Sequence, residues 1–94
     1  MRRIEYSTKF RKDFKKYARN AEKVAKIMAA VAILEQGSEI PRSMRPHKLI
    51  GNYAGHMELH IEGDLLLIWF EENGIGELVI NLVRLGSHSE LFGK

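Results

Sequence analysis

The chain has 94 residues, no cysteine, 45% hydrophobic residues and a formal net charge of +3. This length predicts a single domain over residues 1–94, and the lack of cysteine excludes disulfides, thiolate catalysis and cysteine-ligated metal clusters. The N-terminus has no apolar signal-peptide segment, and no apolar run is long enough to cross a bilayer. We therefore expect a cytoplasmic protein that does not contact a membrane.

Charge is distributed unevenly along the chain. Residues 1–26 contain ten Lys and Arg against three acidic residues, a net charge of +7, whereas residues 51–94 have a net charge of −5. Such polarity can present one face of a small protein to a nucleic-acid backbone or to an acidic partner. The alternative is that the lysines only solvate the outer faces of helices.

The N-terminal third predicts a strand followed by two helices. Residues 3–6 have the pattern of a short strand, and Ser7 is a suitable N-cap for the first helix, which Asn20 is expected to end. The apolar face of this helix is formed by Phe10, Phe14 and Tyr17. The second helix, over residues 22–36, is followed by Gly37 at the position that favours glycine. Its apolar stripe is formed by Val24, Ile27, Met28, Val31 and Leu34.

The remaining chain predicts a loop and three strands. Residues 38–46 are polar and contain both prolines, as a loop would. Residues 56–62 alternate, with His56, Glu58, His60 and Glu62 on the polar face. Residues 65–71 are apolar on both faces, as in a central strand, and Asn73-Gly74 forms a turn before the last strand at residues 77–85. This β-α-α-β-β-β order predicts an α+β fold with both amphipathic helices packed on a mainly antiparallel sheet.

The residues suited to chemistry lie from residue 47 onward, a segment that holds all four histidines. Imidazole takes and gives protons near neutral pH, and arginine presents a fork of donors that suits a phosphate. His60 lies on a polar strand face, and Asp64 follows closely enough to orient it. His88 follows a Gly-Ser pair at the end of the last strand. Taken singly, these residues also fit a solvated strand face, a turn aspartate and an exposed tail.

The position of Arg84 stays open at this level. Its parity matches that of Leu78, Ile80 and Leu82, so a regular strand would place it at the mouth of an apolar face. A bulge near Gly86 would turn it to the other face instead.

A metal site is the weaker interpretation of the histidines. His56 and His60 on one strand face would lie about 13 Å apart, too far to share one ion. His60, Asp64 and His88 could still converge on an ion, but no motif with dedicated ligand spacing is present. We therefore expect neither a metal nor another cofactor.

The order of elements and the spacing of the second half resemble the RelE/ParE toxin superfamily, and most closely its YafQ-type branch of bacterial mRNA interferases. The resemblance covers essentially the whole chain. The motif that carries it is Pro46-His47-x-Leu49 … Gly51 … Gly55-x-x-Glu58-x-His60-Ile61-Glu62-x-Asp64-x-Leu66-Leu67-Ile68 … Arg84-x-Gly86-Ser87-His88-Ser89-x-Leu91-Phe92-Gly93.

Membership would imply the toxin of a type II toxin–antitoxin system, a metal-independent endoribonuclease that cleaves mRNA in the ribosomal A site. The ribose 2′-OH would attack the adjacent phosphate, leaving a 2′,3′-cyclic phosphate and a 5′-OH. A cognate antitoxin would hold the toxin inactive, and the complex would bind operator DNA. The functional positions that the resemblance implies are His47, His60, Asp64, Arg84, His88 and Phe92.

These positions can be given roles as a hypothesis. Either His60, oriented by Asp64, or His47 removes the 2′-OH proton, and His88 protonates the departing 5′-oxygen. Arg84 neutralises charge on the phosphorane, and Phe92 offers a ring for base stacking. Lysines expected to contact the substrate are Lys12, Lys16 and Lys48.

Two departures from the branch pattern bear on activity. Leu65 stands where an aromatic residue often follows the acid, and Met57 stands where an arginine is frequent. A ParE-like gyrase inhibitor and a non-catalytic nucleic-acid or partner-binding domain remain as alternatives, because fold does not determine function.

Overall fold

The computed structural model describes residues 2–93, which form a five-stranded sheet with two helices on one face. The elements are β1 (Arg3–Tyr6), α1 (Thr8–Lys15), α2 (Ala21–Gln36), β2 (His47–Lys48), β3 (Met57–Glu62), β4 (Leu65–Asn73), β5 (Leu78–Gly86) and α3 (His88–Phe92). The strand order is β1-β5-β4-β3-β2; β1 runs parallel to β5 and the other pairs are antiparallel. The predicted α+β fold is therefore confirmed. The short strand β2 and the helix α3 are additions to it.

Single-turn 3-10 helices occupy Arg42–Met44 and Gly51–Tyr53, the first of them within the segment expected to be loop. Among the described residues, no helix combines the length and apolarity needed to cross a membrane.

Side-chain caps determine where the first two helices begin. Ser7 Oγ accepts from the amide of Phe10 at 2.9 Å, which confirms Ser7 as the N-cap of α1. Asn20 was expected to end α1, but it caps the start of α2 by accepting from the amide of Lys23 at 3.1 Å. The helix α1 ends earlier, at Lys15, so Tyr17 lies in the following turn and still packs against the core.

The main core lies between the helices and the sheet. The predicted α2 stripe supplies Ile27, Val31 and Leu34 to it, but Met28 is 43% exposed, so the stripe is narrower than expected. Gly37 ends α2 with φ of 69°, a left-handed conformation that favours glycine. From the sheet, this core receives Leu59, Leu65, Leu67, Trp69, Ile80, Leu82 and Leu85.

A register shift near the end of β3 changes the face on which Glu62 lies. His60 pairs with Leu66, but Glu62 pairs with Leu65, so β3 carries one extra residue between them. A bulge of this kind interrupts the alternation of side chains. Glu62 consequently accepts hydrogen bonds from Lys23 and Lys26 of α2, although strict alternation placed it on the polar face with His60.

The hydrogen bonds of Lys23 and Lys26 with Glu62 also make the stability of the fold depend on pH in the acidic range. Their hydrogen bonds lower the pKa of Glu62 from 4.5 to about 2. Because the pKa is lower in the folded state, this stabilisation is complete above pH 4.5 and is lost as pH falls toward 2. We expect the melting temperature of the wild type to exceed that of Glu62→Gln at pH 6, and the difference to vanish near pH 2. The exposed substitution Glu71→Gln is the control, and a pH-independent difference would contradict the assignment.

Candidate functional site

The candidate site lies on the face of the sheet opposite α1 and α2, here called the open face. Directly paired residues of neighbouring strands place their side chains on the same face. The pairs His47–Glu58, Glu58–Ile68 and Ile68–Arg84 therefore form one row across β2, β3, β4 and β5. A second row contains His60, Leu66 and Gly86. Three of the residues expected from the sequence, His47, His60 and Arg84, are thus brought onto one surface.

A bulge in β5 is what places Arg84 in this row. Ile68 pairs with Arg84 but Trp69 pairs with Leu82, so β5 carries one extra residue, Val83. Val83 packs against the small apolar cluster of the open face, whereas Leu82 and Leu85 belong to the core under the helices. Arg84 thus lies on the face that the sequence analysis linked to a bulge, but the bulge is at Val83 and not near Gly86.

Glu58 is the carboxylate beside the two strand histidines. Its Oε1 lies 3.2 Å from Nε2 of His47 and 3.8 Å from Nε2 of His60, and its side chain is only 5% exposed. The sequence had assigned the carboxylate partner of His60 to Asp64, because Asp64 is near in the chain. The alternation pattern placed Glu58 on the polar face but did not show that it would be buried between two imidazoles. The three donor atoms lie within 4.8 Å of one another, close enough to share one ion.

Asp64 positions the helix that carries His88. Its Oδ1 accepts from the backbone amide of His88 at 3.0 Å. Ser87 caps α3 in a reciprocal arrangement with Glu90, whose Oε1 accepts from the Ser87 amide at 2.8 Å. That hydrogen bond, with a further one from Lys16, lowers the pKa of Glu90. The first turn of α3 is thereby held at the end of the sheet where His60 and Gly86 lie.

A group of aromatic rings borders the open face. The ring of Phe92 lies 4.8 Å from that of His88 and 5.8 Å from that of Tyr53, and Tyr53 lies 5.6 Å from His56. Tyr53 was not singled out in the sequence. Tyr53 could have been selected from the sequence because it is an aromatic residue in a short segment between Gly51 and Gly55. Loop segments of this kind often carry functional residues.

Arg84 is held by a carboxylate from the helix layer. Its Nε and Nη2 donate to Asp13 Oδ2 and Oδ1 at 2.8 and 3.2 Å, and Oδ2 also accepts from the Leu85 amide at 2.9 Å. Asp13 is 5% exposed. Its hydrogen bonds raise the pKa of Arg84 against the opposing effect of burial. The burial of Asp13 was predictable from the sequence, because helical spacing places it on the same face of α1 as Phe10 and Phe14.

The three lysines expected at the substrate are distributed differently. Lys12 and Lys16 are exposed near the end of α1, and Lys16 pairs with Glu90 of α3 at 3.2 Å, so this end of α1 borders α3. Lys48 pairs with Met57, whose side chain packs against the core under the helices. By strand alternation, Lys48 does not share the open face with His47.

A helix pair packed on one face of a mainly antiparallel sheet is the RelE-like fold that the resemblance predicted. A family model for the YafQ bacterial toxin of type II toxin–antitoxin systems matches residues 2–93. The chain therefore belongs to the YafQ toxin family.

Relatives agree with this assignment over nearly the whole chain. The mRNA interferase toxin YafQ of Escherichia coli K12 is 28% identical over 93 residues, covering 98% of this chain and 97% of the relative. A metal-bound toxin from Helicobacter pylori superposes with a TM-score of 0.84 at 36% identity, covering 98% of this chain and 100% of that one. YafQ in the E. coli DinJ–YafQ toxin–antitoxin complex gives a TM-score of 0.79 at 29% identity, covering 98% of each chain.

Removing the carboxylate of Asp13 should destabilise the protein strongly. Asp13→Ala leaves the Arg84 guanidinium and the Leu85 amide without their acceptor, and breaking a buried ion pair in this way costs about 3 kcal/mol or more. Urea unfolding followed by circular dichroism measures the loss. Lys12→Ala on the exposed side of α1 is the matched control and should change stability by less than about 0.5 kcal/mol. A similar small effect for Asp13→Ala would show that the ion pair does not hold α1 to β5.

Proposed function

We propose that the chain is an endoribonuclease that cleaves mRNA at the ribosomal A site by attack of the ribose 2′-OH, with histidine acid–base catalysis and no metal in the reaction. The mRNA interferase name of the E. coli relative supports the substrate class. The observation that carries the proposal is the convergence of two imidazoles, a buried carboxylate and an arginine on the open face, with a third imidazole on the adjoining helix α3.

His60 is the proposed general base, which removes the proton of the ribose 2′-OH. It lies in the row that ends at Gly86, next to the helix that carries His88, so base and acid border the same stretch of the sheet. The Cα atoms of His60 and Gly86 are separated by two strand spacings, roughly 10 Å, which leaves room for a ribose–phosphate unit above Leu66. Glu58 Oε1 lies 3.2 Å from His47 Nε2 and 3.8 Å from His60 Nε2, so its negative charge acts on both imidazoles. A carboxylate next to an imidazole also stabilises the imidazolium formed on proton transfer.

His88 protonates the departing 5′-oxygen in this proposal. It is exposed on the first turn of α3, which Asp64 and the Ser87 cap keep in position. Asp64 therefore contributes by placing the acid rather than by contacting the base. Phe92, one helical turn beyond His88, presents a ring on which a nucleotide base can stack.

Arg84 contributes the charge that neutralises the phosphorane. Its contacts with Asp13 use Nε and one Nη2 proton of the five N–H donors of the guanidinium, so further donors can bind a phosphate oxygen. A bidentate carboxylate also fixes the plane of the guanidinium, so less conformational entropy is lost when the phosphate binds. Preorganised donors of this type typically contribute a few kcal/mol to transition-state stabilisation.

The proposal includes a ribosome-bound substrate and an antitoxin. Lys12 and Lys16, on the end of α1 beside α3, lie where they can contact the RNA backbone next to the site. The DinJ–YafQ complex supports a cognate antitoxin as the partner that restrains activity. Binding to operator DNA would then occur through the toxin–antitoxin complex.

The gyrase-inhibitor and binding-domain alternatives explain less of the site. Inhibition by binding needs no acid–base groups, and it does not account for a carboxylate buried between two imidazoles at 3.2 and 3.8 Å. A supercoiling assay beside an mRNA cleavage assay distinguishes the gyrase alternative from the nuclease.

Removing the general acid should abolish cleavage without affecting the antitoxin complex. We expect His88→Ala to lower the rate of mRNA cleavage on programmed ribosomes by about 10²–10⁴-fold, the usual contribution of a positioned proton donor. Primer extension and end-group analysis measure the cleavage and its 2′,3′-cyclic phosphate product. His56→Ala, which changes a histidine outside the proposed machinery, is the control. Cleavage at the wild-type rate by His88→Ala would refute the role of His88.

Glu58 should be required although it does not touch the RNA. Glu58→Gln keeps the shape of the side chain but loses the negative charge that stabilises the protonated form of the neighbouring imidazoles, so we expect cleavage to fall by at least about tenfold. Antitoxin co-purification and thermal unfolding show whether the variant is folded. Full activity in a folded Glu58→Gln protein would mean that the carboxylate only fills space in the sheet.

A further inference from the structure

Tyr53 contacts two residues of the proposed site, Phe92 through its ring and Arg84 through its hydroxyl. Its ring lies 5.8 Å from the ring of Phe92 at an interplanar angle of 84°, and both rings pack against the small apolar cluster of the open face. Leu66 belongs to that cluster, and the proposed ribose–phosphate unit lies above Leu66. Tyr53 therefore borders the space that the scissile phosphate occupies in the proposed function.

Backbone hydrogen bonds hold the loop that carries Tyr53. The amide of Leu49 donates to the carbonyl of His56 at 2.9 Å, which extends the pairing of β2 with β3. Within this closed loop, the amide of His56 donates to the carbonyl of Tyr53 at 2.9 Å. A side chain on a fixed backbone, with its ring half-buried against an apolar cluster, loses little conformational entropy when a ligand binds. Tyr53 is thus preorganised, as a donor to a transition state needs to be.

The hydroxyl of Tyr53 lies at the guanidinium of Arg84. The pKa of Arg84 is raised mainly by its hydrogen bonds with Asp13, and a hydrogen bond with Tyr53 raises it further. Guanidinium has no acceptor, so the phenol oxygen accepts from Arg84 and the O–H of Tyr53 is left to donate to another group. A hydroxyl that accepts from a cation is polarised and becomes a stronger donor. The open face thus offers an activated O–H next to the Arg84 guanidinium.

The ion pair of Arg84 with Asp13 makes a second donor useful at this point. Asp13 binds the guanidinium at 2.8 and 3.2 Å, so its negative charge offsets part of the positive charge that acts on a phosphate. Negative charge grows on the nonbridging oxygens as the 2′-OH attacks, and a donor directed at them stabilises the transition state more than the ground state. A hydroxyl beside Arg84 can supply this additional stabilisation.

We propose that Tyr53 is a catalytic residue of the nuclease, whose hydroxyl donates a hydrogen bond to a nonbridging oxygen of the scissile phosphate beside the Arg84 guanidinium. The role rests on the proposed function and extends it, since Arg84 then shares the stabilisation of the phosphorane with a neutral donor. No proton is transferred from Tyr53 in this role. The competing explanation is that Tyr53 only covers the apolar cluster, and in that case its ring matters but its hydroxyl does not.

Tyr53→Phe tests the hydroxyl alone, because it keeps the ring that packs against Phe92 and the apolar cluster. We expect the single-turnover rate of mRNA cleavage on programmed ribosomes to fall by at least about tenfold, with circular dichroism that matches the wild type. Tyr6→Phe is the matched control and should leave the rate unchanged. Tyr6 pairs with Leu82, which belongs to the core under the helices, so Tyr6 lies on the helix side of the sheet.

Phosphorothioate substrates test whether the hydroxyl of Tyr53 reaches the phosphate. Each diastereomer replaces one nonbridging oxygen of the scissile linkage by sulfur, which is a weaker hydrogen-bond acceptor. We expect sulfur at one position to slow the wild type at least about threefold more than it slows Tyr53→Phe. Sulfur at the other position should slow both proteins equally. The ratio of sulfur and oxygen rates within one protein does not depend on its folded fraction, so a partly unfolded variant still gives a result.

Three results would overturn the role of Tyr53 and leave the proposed function intact. They are cleavage by Tyr53→Phe at the wild-type rate, an equal loss of rate in Tyr6→Phe, and identical sulfur effects in the wild type and Tyr53→Phe at both positions. A wild-type chain that leaves ribosome-bound mRNA uncut would instead contradict the proposed function. The two failures are therefore distinguishable.

Discussion

The contact of Asp13 with the end of β5 is the interaction on which the arrangement of the candidate site depends. β1 ends opposite Leu82, and beyond that point Asp13 of α1 accepts the hydrogen bond of the Leu85 amide in place of a strand. The same carboxylate binds Arg84 through two donors. The bulge at Val83 sets the face on which Arg84 lies, and Asp13 then holds its guanidinium. Because α3 continues directly from β5, the same contact also fixes the end of the strand from which α3 begins.

The two faces of the sheet differ in function: one packs against the helices to form the main core, and the other carries the candidate site. The helix side combines the large core with the exposed lysines and arginines of α1 and α2; residues 1–26 have a net charge of +7. The open face has a much smaller apolar cluster, formed by Leu66, Ile68 and Leu91, and polar side chains surround it. This small apolar cluster lies beneath the polar side chains of the site and leaves them accessible to solvent. The stability of the fold thus comes mainly from one side of the sheet, and the chemistry is carried by the other.

Much of the fold was predictable because its signals are local. Ser7 caps α1, Gly37 ends α2 and the apolar positions of β4 match a central strand, each from residues within one or two turns of chain. The strand β2 has two residues, too few to show alternation, and α3 has five, too few for a helical stripe. Glu62 was assigned to the wrong face because one extra residue in β3 reverses the alternation, and nothing in the local sequence marks that insertion.

The sequence by itself determined the order of the two longer helices and the four longer strands, the family, and the residue types available for chemistry, since these follow from periodicity, caps and motif spacing along the chain. Tertiary structure alone decided which of those residues meet. Asp13 and Arg84 are 71 positions apart, and His47 meets Glu58 only because β2 pairs with β3. Such pairs depend on strand register and on two bulges, and a shift of one residue moves a side chain to the opposite face of the sheet.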